Sequence, residues 1–176
     1  GERQVVFVTG EAGIGKTTLV DTFLQHLASE RSRSLVTEPA SRLQSPVSSL
    51  WLGRGQCVEQ YGAGEAYLPI LEALGRIGRA PGGDQLVTIL QQYAPTWLVQ
   101  MPALLTAGEL ETVQRRVIGA TRERMLREMV EAIEALAEHC PLVLWLEDLH
   151  WADASTVDWL AAIAQRRASA RLLVIG

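Results

Sequence analysis

The segment at residues 10–17 constrains the fold of this chain more than any other part of its sequence. It reads Gly-Glu-Ala-Gly-Ile-Gly-Lys-Thr and fits the pattern G-x-x-x-x-G-K-[ST]. The apolar, largely β-branched run at residues 5–8 precedes it and is typical of a buried parallel strand. From residue 17 to about residue 29, apolar residues recur with helical spacing. The sequence therefore predicts a glycine-rich turn between a buried strand and a helix, an arrangement that turns backbone amides toward an anion.

The residue types in this turn suit a triphosphate, because glycines let consecutive N–H groups point at phosphate oxygens and the helix N-terminus adds positive partial charge. We expect an ATP site whose phosphate-binding residues are Gly10, Glu11, Ala12, Gly13, Ile14, Gly15, Lys16, Thr17 and Thr18. Lys16 should reach the β- and γ-phosphates, and Thr17 should place its hydroxyl on Mg²⁺. Thr18 either contacts the α-phosphate or simply caps the helix.

Lysine usage points to the same position. Of the 16 Lys and Arg residues in the 176-residue chain, 15 are Arg and Lys16 is the single Lys. An ammonium group is a compact point charge, whereas a guanidinium group is a planar fork. A chain that uses Arg at every other cationic position therefore retains Lys where the fork would not fit, as in a phosphate loop.

A second segment supplies carboxylates. Residues 142–148 read Leu-Val-Leu-Trp-Leu-Glu-Asp, an apolar strand that ends in two acids, as in a Walker B motif. We predict that Glu147 is the Mg²⁺ ligand and that Asp148 orients or deprotonates water, although the reverse assignment stays open. Together with Lys16 they form the predicted catalytic set. Alternation along a strand places the two acids on opposite faces, so one of them must turn at the strand end.

The remaining patterns predict an α/β fold with a parallel sheet, because strands alternate with helices. Further strands are expected at residues 50–58 and 171–175, and a loop at residues 31–49. Helices are expected at residues 67–78, 84–93, 95–105, 122–139 and 156–167, with Thr121 and Ser155 as the N-caps of the last two.

Composition narrows the functional classes. The net charge of −4 argues against direct nucleic-acid contact, and no apolar run approaches the length of a membrane span.

The two cysteines, Cys57 and Cys140, do not have the spacing of metal ligands. We expect them at opposite ends of neighbouring strands, and their small number fits a reducing, cytoplasmic compartment. Because the chain starts without Met and both ends are apolar, we expect residues 1–176 to be one domain cut from a larger protein.

The phosphate-loop segment and the run Leu-Glu-Asp-Leu-His-Trp-Ala-Asp at residues 146–153 together resemble the AAA-like ATPase domain of the STAND class, the signal-transduction ATPases of large bacterial transcription regulators and cyclase-linked proteins. Residues 55–57 and 61–69 resemble the middle segment of that family. The resemblance implies a three-layer P-loop NTPase fold, truncated on the C-terminal side, with a helical insertion around residues 66–120. It also implies that the last strand lies between the phosphate-loop strand and the Walker B strand.

Functionally, the resemblance implies a switch that binds ATP and Mg²⁺, hydrolyses ATP slowly and self-associates. Output domains and helical-repeat sensor domains would lie outside this piece. His150 and Asp153 would lie near the nucleotide or position the loop after the acids, although a helix-entry role for Asp153 is equally open. We expect Trp151 in the core. Arg54 is the one candidate arginine for a phosphate contact, against ordinary strand-edge use.

Alternative nucleotide-binding classes fit less well. A GTPase needs an Asn-Lys-x-Asp base reader, which a chain without Asn lacks. A transporter ATPase needs a Leu-Ser-Gly-Gly type loop, which is also absent. The arginines at residues 115–127 could imitate the basic lid of a small-molecule kinase, but their interleaving with Glu indicates a solvated helix face. A nucleotide-bound interaction scaffold with little hydrolysis stays open.

Overall fold

The computed structural model of the chain describes residues 2–37, 50–59, 65–166 and 169–176. Within these residues, one parallel sheet has the strand order β1-β4-β3-β2. Its strands are β1 (Arg3–Val6), β2 (Trp51–Gln56), β3 (Leu142–Glu147) and β4 (Leu172–Ile175). The predicted α/β class is confirmed. The predicted position of β4 between β1 and β3, and the predicted pairing of β2 with β3, are confirmed as well.

Helices surround the sheet. They are α1 (Lys16–Thr37), α2 (Leu68–Arg79), α3 (Asp84–Tyr93), α4 (Pro95–Leu98), α5 (Ala107–Arg116), α6 (Arg122–His139) and α7 (Ala154–Gln165), with 3-10 turns at Pro102–Leu104 and Leu149–Trp151. Both α3 and α6 have the predicted bounds. The predicted N-cap of α6 is confirmed, because the Thr121 hydroxyl accepts a hydrogen bond from the backbone N–H of Arg124 at 3.2 Å.

Some boundaries differ from the prediction. Helix α1 continues to Thr37, where a loop was expected from residue 31, and residues 38–49 of that loop lie outside the described residues. The helix predicted at residues 95–105 stops at Leu98, because Pro102 cannot donate a helical hydrogen bond. Helix α5 was not predicted as a separate element, although Thr106 and Glu109 form a reciprocal capping box at its start.

The two faces of the sheet carry different layers, as strand alternation requires. Leu144 on β3 and Val174 on β4 face the larger core formed with α2, α3, α6 and α7. Val143 and Trp145 face the opposite side and pack against α1. The arrangement of helices on both faces agrees with the three-layer P-loop NTPase architecture.

Strand β1 is less buried than predicted. The structure places it at Arg3–Val6 rather than at residues 5–8, and Val6 and Phe7 are 42% and 58% exposed. The reason is its position at the end of the strand order, where β4 is its one partner among the strands that the structure describes. Pairing nevertheless continues past the strand, because Val8 N–H donates to the carbonyl of Gly176 at 2.8 Å.

Helix α2 packs very closely against β2. A Cβ atom placed on Gly55 would lie 1.8 Å from the backbone carbonyl oxygen of Pro69, so only glycine allows this approach. Gly55 pairs with Leu146 on β3, directly before the two acids. The close contact therefore fixes the helical insertion next to the sheet edge at which the acids lie.

Candidate functional site

The glycine-rich loop joins β1 to α1 in a conformation that depends on its glycines. Gly10, Gly13 and Gly15 have φ angles of 155°, 80° and 95°, values that side chains with a Cβ atom rarely adopt. A Cβ atom on Gly13 or Gly15 would meet nothing within 4 Å. At these two positions the backbone conformation, rather than lack of space, requires glycine, and the loop has open space beside it.

Lys16 closes the loop on itself. Its ammonium Nζ donates to the carbonyl oxygens of Gly10 and Glu11, both at 2.9 Å. Because α1 begins at Lys16, the N–H groups of Lys16, Thr17 and Thr18 have no helical partners, whereas the N–H of Leu19 donates to the carbonyl of Gly15 at 2.9 Å. Thr17 and Thr18 are exposed in that turn. Thr18 lies inside the helix rather than before it, which argues against the cap interpretation.

The two acids separate at the end of β3. Glu147 is the last residue of the strand, and its side chain is 14% exposed. Asp148 has φ 54° and ψ 44°, a left-handed conformation, so it is the acid that turns. It is exposed, and its Oδ2 accepts a hydrogen bond from Gln56 Nε2 at 3.2 Å. The two carboxylates therefore have different environments.

Glu147 is held by Arg54 of β2. The guanidinium Nη2 and Nε lie 2.7 and 3.2 Å from Glu147 Oε2, and Nη1 lies 3.4 Å from Asp21 Oδ1 on α1. The sequence analysis predicted a phosphate contact for Arg54 and did not predict its contact with Glu147. That contact depends on the register of β2 against β3, which places Arg54 opposite Trp145, two residues before Glu147.

The glycine-rich loop and the acids meet at one edge of the sheet. The C-terminal ends of β1 and β3 flank the end of β4 on either side. A Cβ atom on Gly176, directly after β4, would lie 2.7 Å from Leu149 Cδ2 and 3.6 Å from Phe7 Cδ1. Phe7 lies three residues before Gly10, and Leu149 directly follows Asp148. The predicted site residues thus approach one another from two sides of β4.

Asp153 begins α7. Its Oδ1 accepts from the N–H groups of Ser155 and Thr156 at 2.8 and 3.0 Å, and its Oδ2 accepts from the Thr156 hydroxyl at 2.5 Å. The N–H of Tyr67, before α2, also donates to it at 3.4 Å. The prediction of Ser155 as the N-cap is wrong, because the Asp153 carboxylate reaches the free amides from one residue before the helix.

His150 and Trp151 lie on the turn after the acids. Their ring centroids are 5.0 Å apart, and Trp151 is 44% exposed. The expectation that Trp151 belongs to the core is therefore wrong, because the 3-10 turn at Leu149–Trp151 carries it outward while Leu149 packs inward.

Cys57 lies beside the site but has an unreactive environment. Burial raises the pKa of its thiol to about 11, and the negative charges of Asp153 and Asp148 contribute to the shift. Cys140 follows the last residue of α6 and precedes β3, so the two buried cysteines, which form no disulfide with each other, lie at opposite ends of the paired strands β2 and β3. In the described parts of the chain, no group of three or more His, Cys, Asp or Glu residues could hold a metal ion.

A family model described as an AAA ATPase domain matches residues 1–175. The chain belongs to this family. Among curated proteins, the AAA ATPase domain resembles an uncharacterized protein of Rhizobium meliloti (strain 1021), with 26% identity over 178 residues. The match covers 99% of this chain but only 16% of the relative. No solved structure matches significantly.

Membership of the AAA ATPase domain family agrees with the observed α/β architecture and indicates, in general terms, a nucleotide-binding ATPase. Among the described residues, the AAA ATPase domain has no helix long and apolar enough to cross a membrane.

Proposed function

We propose that this AAA ATPase domain binds ATP with Mg²⁺ and acts as the slowly hydrolysing, STAND-type nucleotide switch of a multidomain bacterial regulator. One observation carries the proposal: a lysine-closed glycine loop and a pair of strand-end acids lie at the same edge of a parallel sheet. Open α/β sheets bind ligands at this edge, outside the carboxyl ends of their strands.

The residues of the loop fit a triphosphate. The space beside Gly13 and Gly15 is open, and the free amides of the first turn of α1 supply donors. Lys16 uses two of its three N–H groups on loop carbonyls, and a phosphate oxygen would replace these acceptors with a charged one. The whole loop, residues 10–18, would form the phosphate-binding surface.

Thr17 and Glu147 would hold the metal. Mg²⁺ prefers oxygen ligands and commonly uses one or two protein groups together with phosphates and water, so a hydroxyl and a single carboxylate suffice. When bound, the ion supplies charge neutralisation at the β- and γ-phosphates. Glu147 is the more enclosed acid and Asp148 the more exposed one. This difference supports Glu147 as the metal acid and Asp148 as the acid that orients water.

Two further observations support the proposed role as a switch. The relative from Rhizobium meliloti is much longer than the match, so in that protein this domain type is one part of a large chain. Large apolar side chains are exposed on and near the loop and on α1, namely Phe7, Ile14, Leu19 and Phe23. Such a surface supports self-association through the ATPase domain. Output and helical-repeat sensor domains in the same protein belong to the same proposal, as does a cytoplasmic location.

A nucleotide-dependent scaffold with little hydrolysis is the second candidate. It is favoured by the hydrogen bond that Gln56 donates to Asp148. Because its carboxylate is engaged in this way, Asp148 is less available to orient water until Gln56 moves.

Steady-state phosphate release, together with nucleotide affinity in Mg²⁺ and in EDTA, separates these functions. We expect slow release by the wild type, loss of release with retained binding in Asp148→Asn, and weakened Mg²⁺-dependent binding in Glu147→Gln. Glu111→Gln, at an exposed i,i+4 pair with Arg115, is the matched control.

Each alternative outcome has a distinct meaning. Phosphate release at background level with retained binding would favour the scaffold. Loss of metal dependence in Asp148→Asn would reverse the roles of the acids. An absence of nucleotide binding by the wild type would contradict the proposal altogether.

A further inference from the structure

We propose that Arg54 is a positioning residue that fixes Glu147 for Mg²⁺ by holding one carboxylate oxygen, Oε2, and leaving Oε1 for the metal and its water. This inference rests on the proposed ATP–Mg²⁺ function and concerns how the metal acid is oriented.

The contact is one-sided. Both Nη2 and Nε of Arg54 donate to Oε2 of Glu147, at 2.7 and 3.2 Å. A fork-to-fork pair would instead give each carboxylate oxygen one N–H group. Among the described residues, no side chain donates to Oε1, so this oxygen stays available to a ligand although the side chain is only 14% exposed.

Arg54 is itself held in place. Its Cζ lies 4.1 Å from the centroid of the Trp145 ring, a cation–π contact with a side chain that is 3% exposed. Trp145 is the register partner of Arg54 across β2 and β3. The guanidinium therefore lies on a buried aromatic surface of the sheet, and a group held in this way can orient a carboxylate more strictly than a mobile surface cation.

A second acid ties this cluster to the phosphate-loop helix. Nη1 of Arg54 lies 3.4 Å from Oδ1 of Asp21, and Asp21 comes one helical turn after Thr17 on α1. Arg54 therefore contacts both Glu147 and the helix that carries Thr17, the other proposed metal ligand. One cation between two carboxylates also reduces the repulsion between them.

Two other roles for Arg54 predict different results. If Arg54 simply competed with Mg²⁺ for Glu147, its removal would strengthen metal-dependent binding. If Arg54 instead contacted the nucleotide phosphates directly, its removal would weaken binding with and without metal alike.

The test measures the dissociation constant of a fluorescent ATP analogue in Mg²⁺ and in EDTA, for the wild type, Arg54→Ala and Arg54→Lys. Loss of an outer-shell partner of a metal ligand typically costs 10–100-fold in metal affinity. We expect Arg54→Ala to reduce the Mg²⁺-dependent gain in affinity about tenfold or more, with the EDTA affinity unchanged within about twofold. Arg54→Lys should fall between, because an ammonium keeps the charge but loses the fork and the stacking.

Arg76→Ala is the matched control, because Arg76 also bonds a glutamate on the protein surface, at the i,i+4 position Glu72. Thermal melting checks that the variants fold, and if Arg54→Ala does not, the Arg54→Lys measurement decides the same question. An unchanged or larger Mg²⁺-dependent gain would overturn the inference, as would an equal loss in EDTA. If the wild type shows no Mg²⁺-dependent nucleotide binding, the proposed function fails first, which separates the two claims.

Discussion

Replacing Glu134 by Gln tests how β1 is attached to the helices behind it. Glu134 of α6 accepts from Arg3 Nη2 at 2.9 Å, and Arg166 Nε and Nη2 approach the same carboxylate at 3.0 and 2.7 Å. The two arginines differ in burial: the Arg3 side chain is 6% exposed and that of Arg166 is 47% exposed. The variant therefore leaves one cation buried and the other in water.

The magnitude follows from this difference. Removing one partner of a buried ion pair commonly costs 3–5 kcal/mol, because a buried charge loses its compensation. Arg3 keeps the carbonyl of Ile163 at 3.1 Å from Nη1, and the amide oxygen of the new side chain can still accept from it, so we expect a loss at or below the lower end of that range, roughly 2–3 kcal/mol in the free energy of unfolding. The exposed contact with Arg166 should contribute less than the buried one, since solvent screens such pairs.

Urea unfolding at pH 7 measures the change, with Arg166→Gln as the control that removes only the exposed pair. We expect Glu134→Gln to lower the urea midpoint clearly and Arg166→Gln to lower it less. Equal midpoints for the two variants would refute the reasoning from burial.

The contacts of Glu134 with both arginines also predict a pH dependence of stability. Hydrogen bonding from Arg166 is the largest cause that lowers the pKa of Glu134, and the hydrogen bond from Arg3 adds to it. A carboxyl whose pKa is lower in the folded state stabilises the fold above its ordinary pKa and loses this contribution as pH falls through the folded value. The stability difference between wild type and Glu134→Gln should therefore shrink as the pH is lowered below about 4.5. A difference that stays constant to lower pH would contradict the charge-based account.

Two smaller predictions concern the surroundings of the site. Asp153→Ala should lower the free energy of unfolding by about 1–2 kcal/mol, because α7 loses its N-cap, whereas Ser155→Ala should have little effect. Equal effects of the two substitutions in urea unfolding would contradict the assignment of Asp153 as the cap. At pH 8 only about one thousandth of Cys57 should be thiolate, given its raised pKa of about 11. Both Cys57 and Cys140 are buried, so iodoacetamide should modify them slowly until the protein is unfolded. Rapid labelling of the native protein, detected by mass spectrometry, would contradict the burial of both thiols.

The sequence predicted the elements that carry strong, local chemical requirements. Gly13 and Gly15 adopt conformations that glycine allows, and the apolar run of β3 delivers Glu147 and Asp148 to the sheet edge as expected. The strand order followed from the family resemblance rather than from periodicity. These features depend on short segments whose residue types leave few structural alternatives.

Other features depend on tertiary position, which periodicity alone does not contain. The apolar pattern of β1 resembles that of a central strand, yet Val6 and Phe7 are exposed because β1 lies at the end of the strand order. The contact of Arg54 with Glu147 requires the register of β2 against β3. Asp153 and Ser155 are both good caps by residue type, and only the backbone geometry decides between them.

The central claim is that the loop at residues 10–18 binds the triphosphate of ATP through Lys16. A titration of the wild type and Lys16→Ala with a fluorescent ATP analogue in Mg²⁺ tests it directly, with Arg76→Ala as a control for loss of a surface cation. We expect binding by the wild type and the control and no measurable binding by Lys16→Ala, because the phosphate charge loses its ammonium partner. Lys16→Arg should also fail, since a planar fork does not fit between the carbonyls of Gly10 and Glu11. Affinities of both Lys16 variants within about twofold of the wild type would contradict the phosphate-loop assignment, because a charge-assisted contact is among the strong ones.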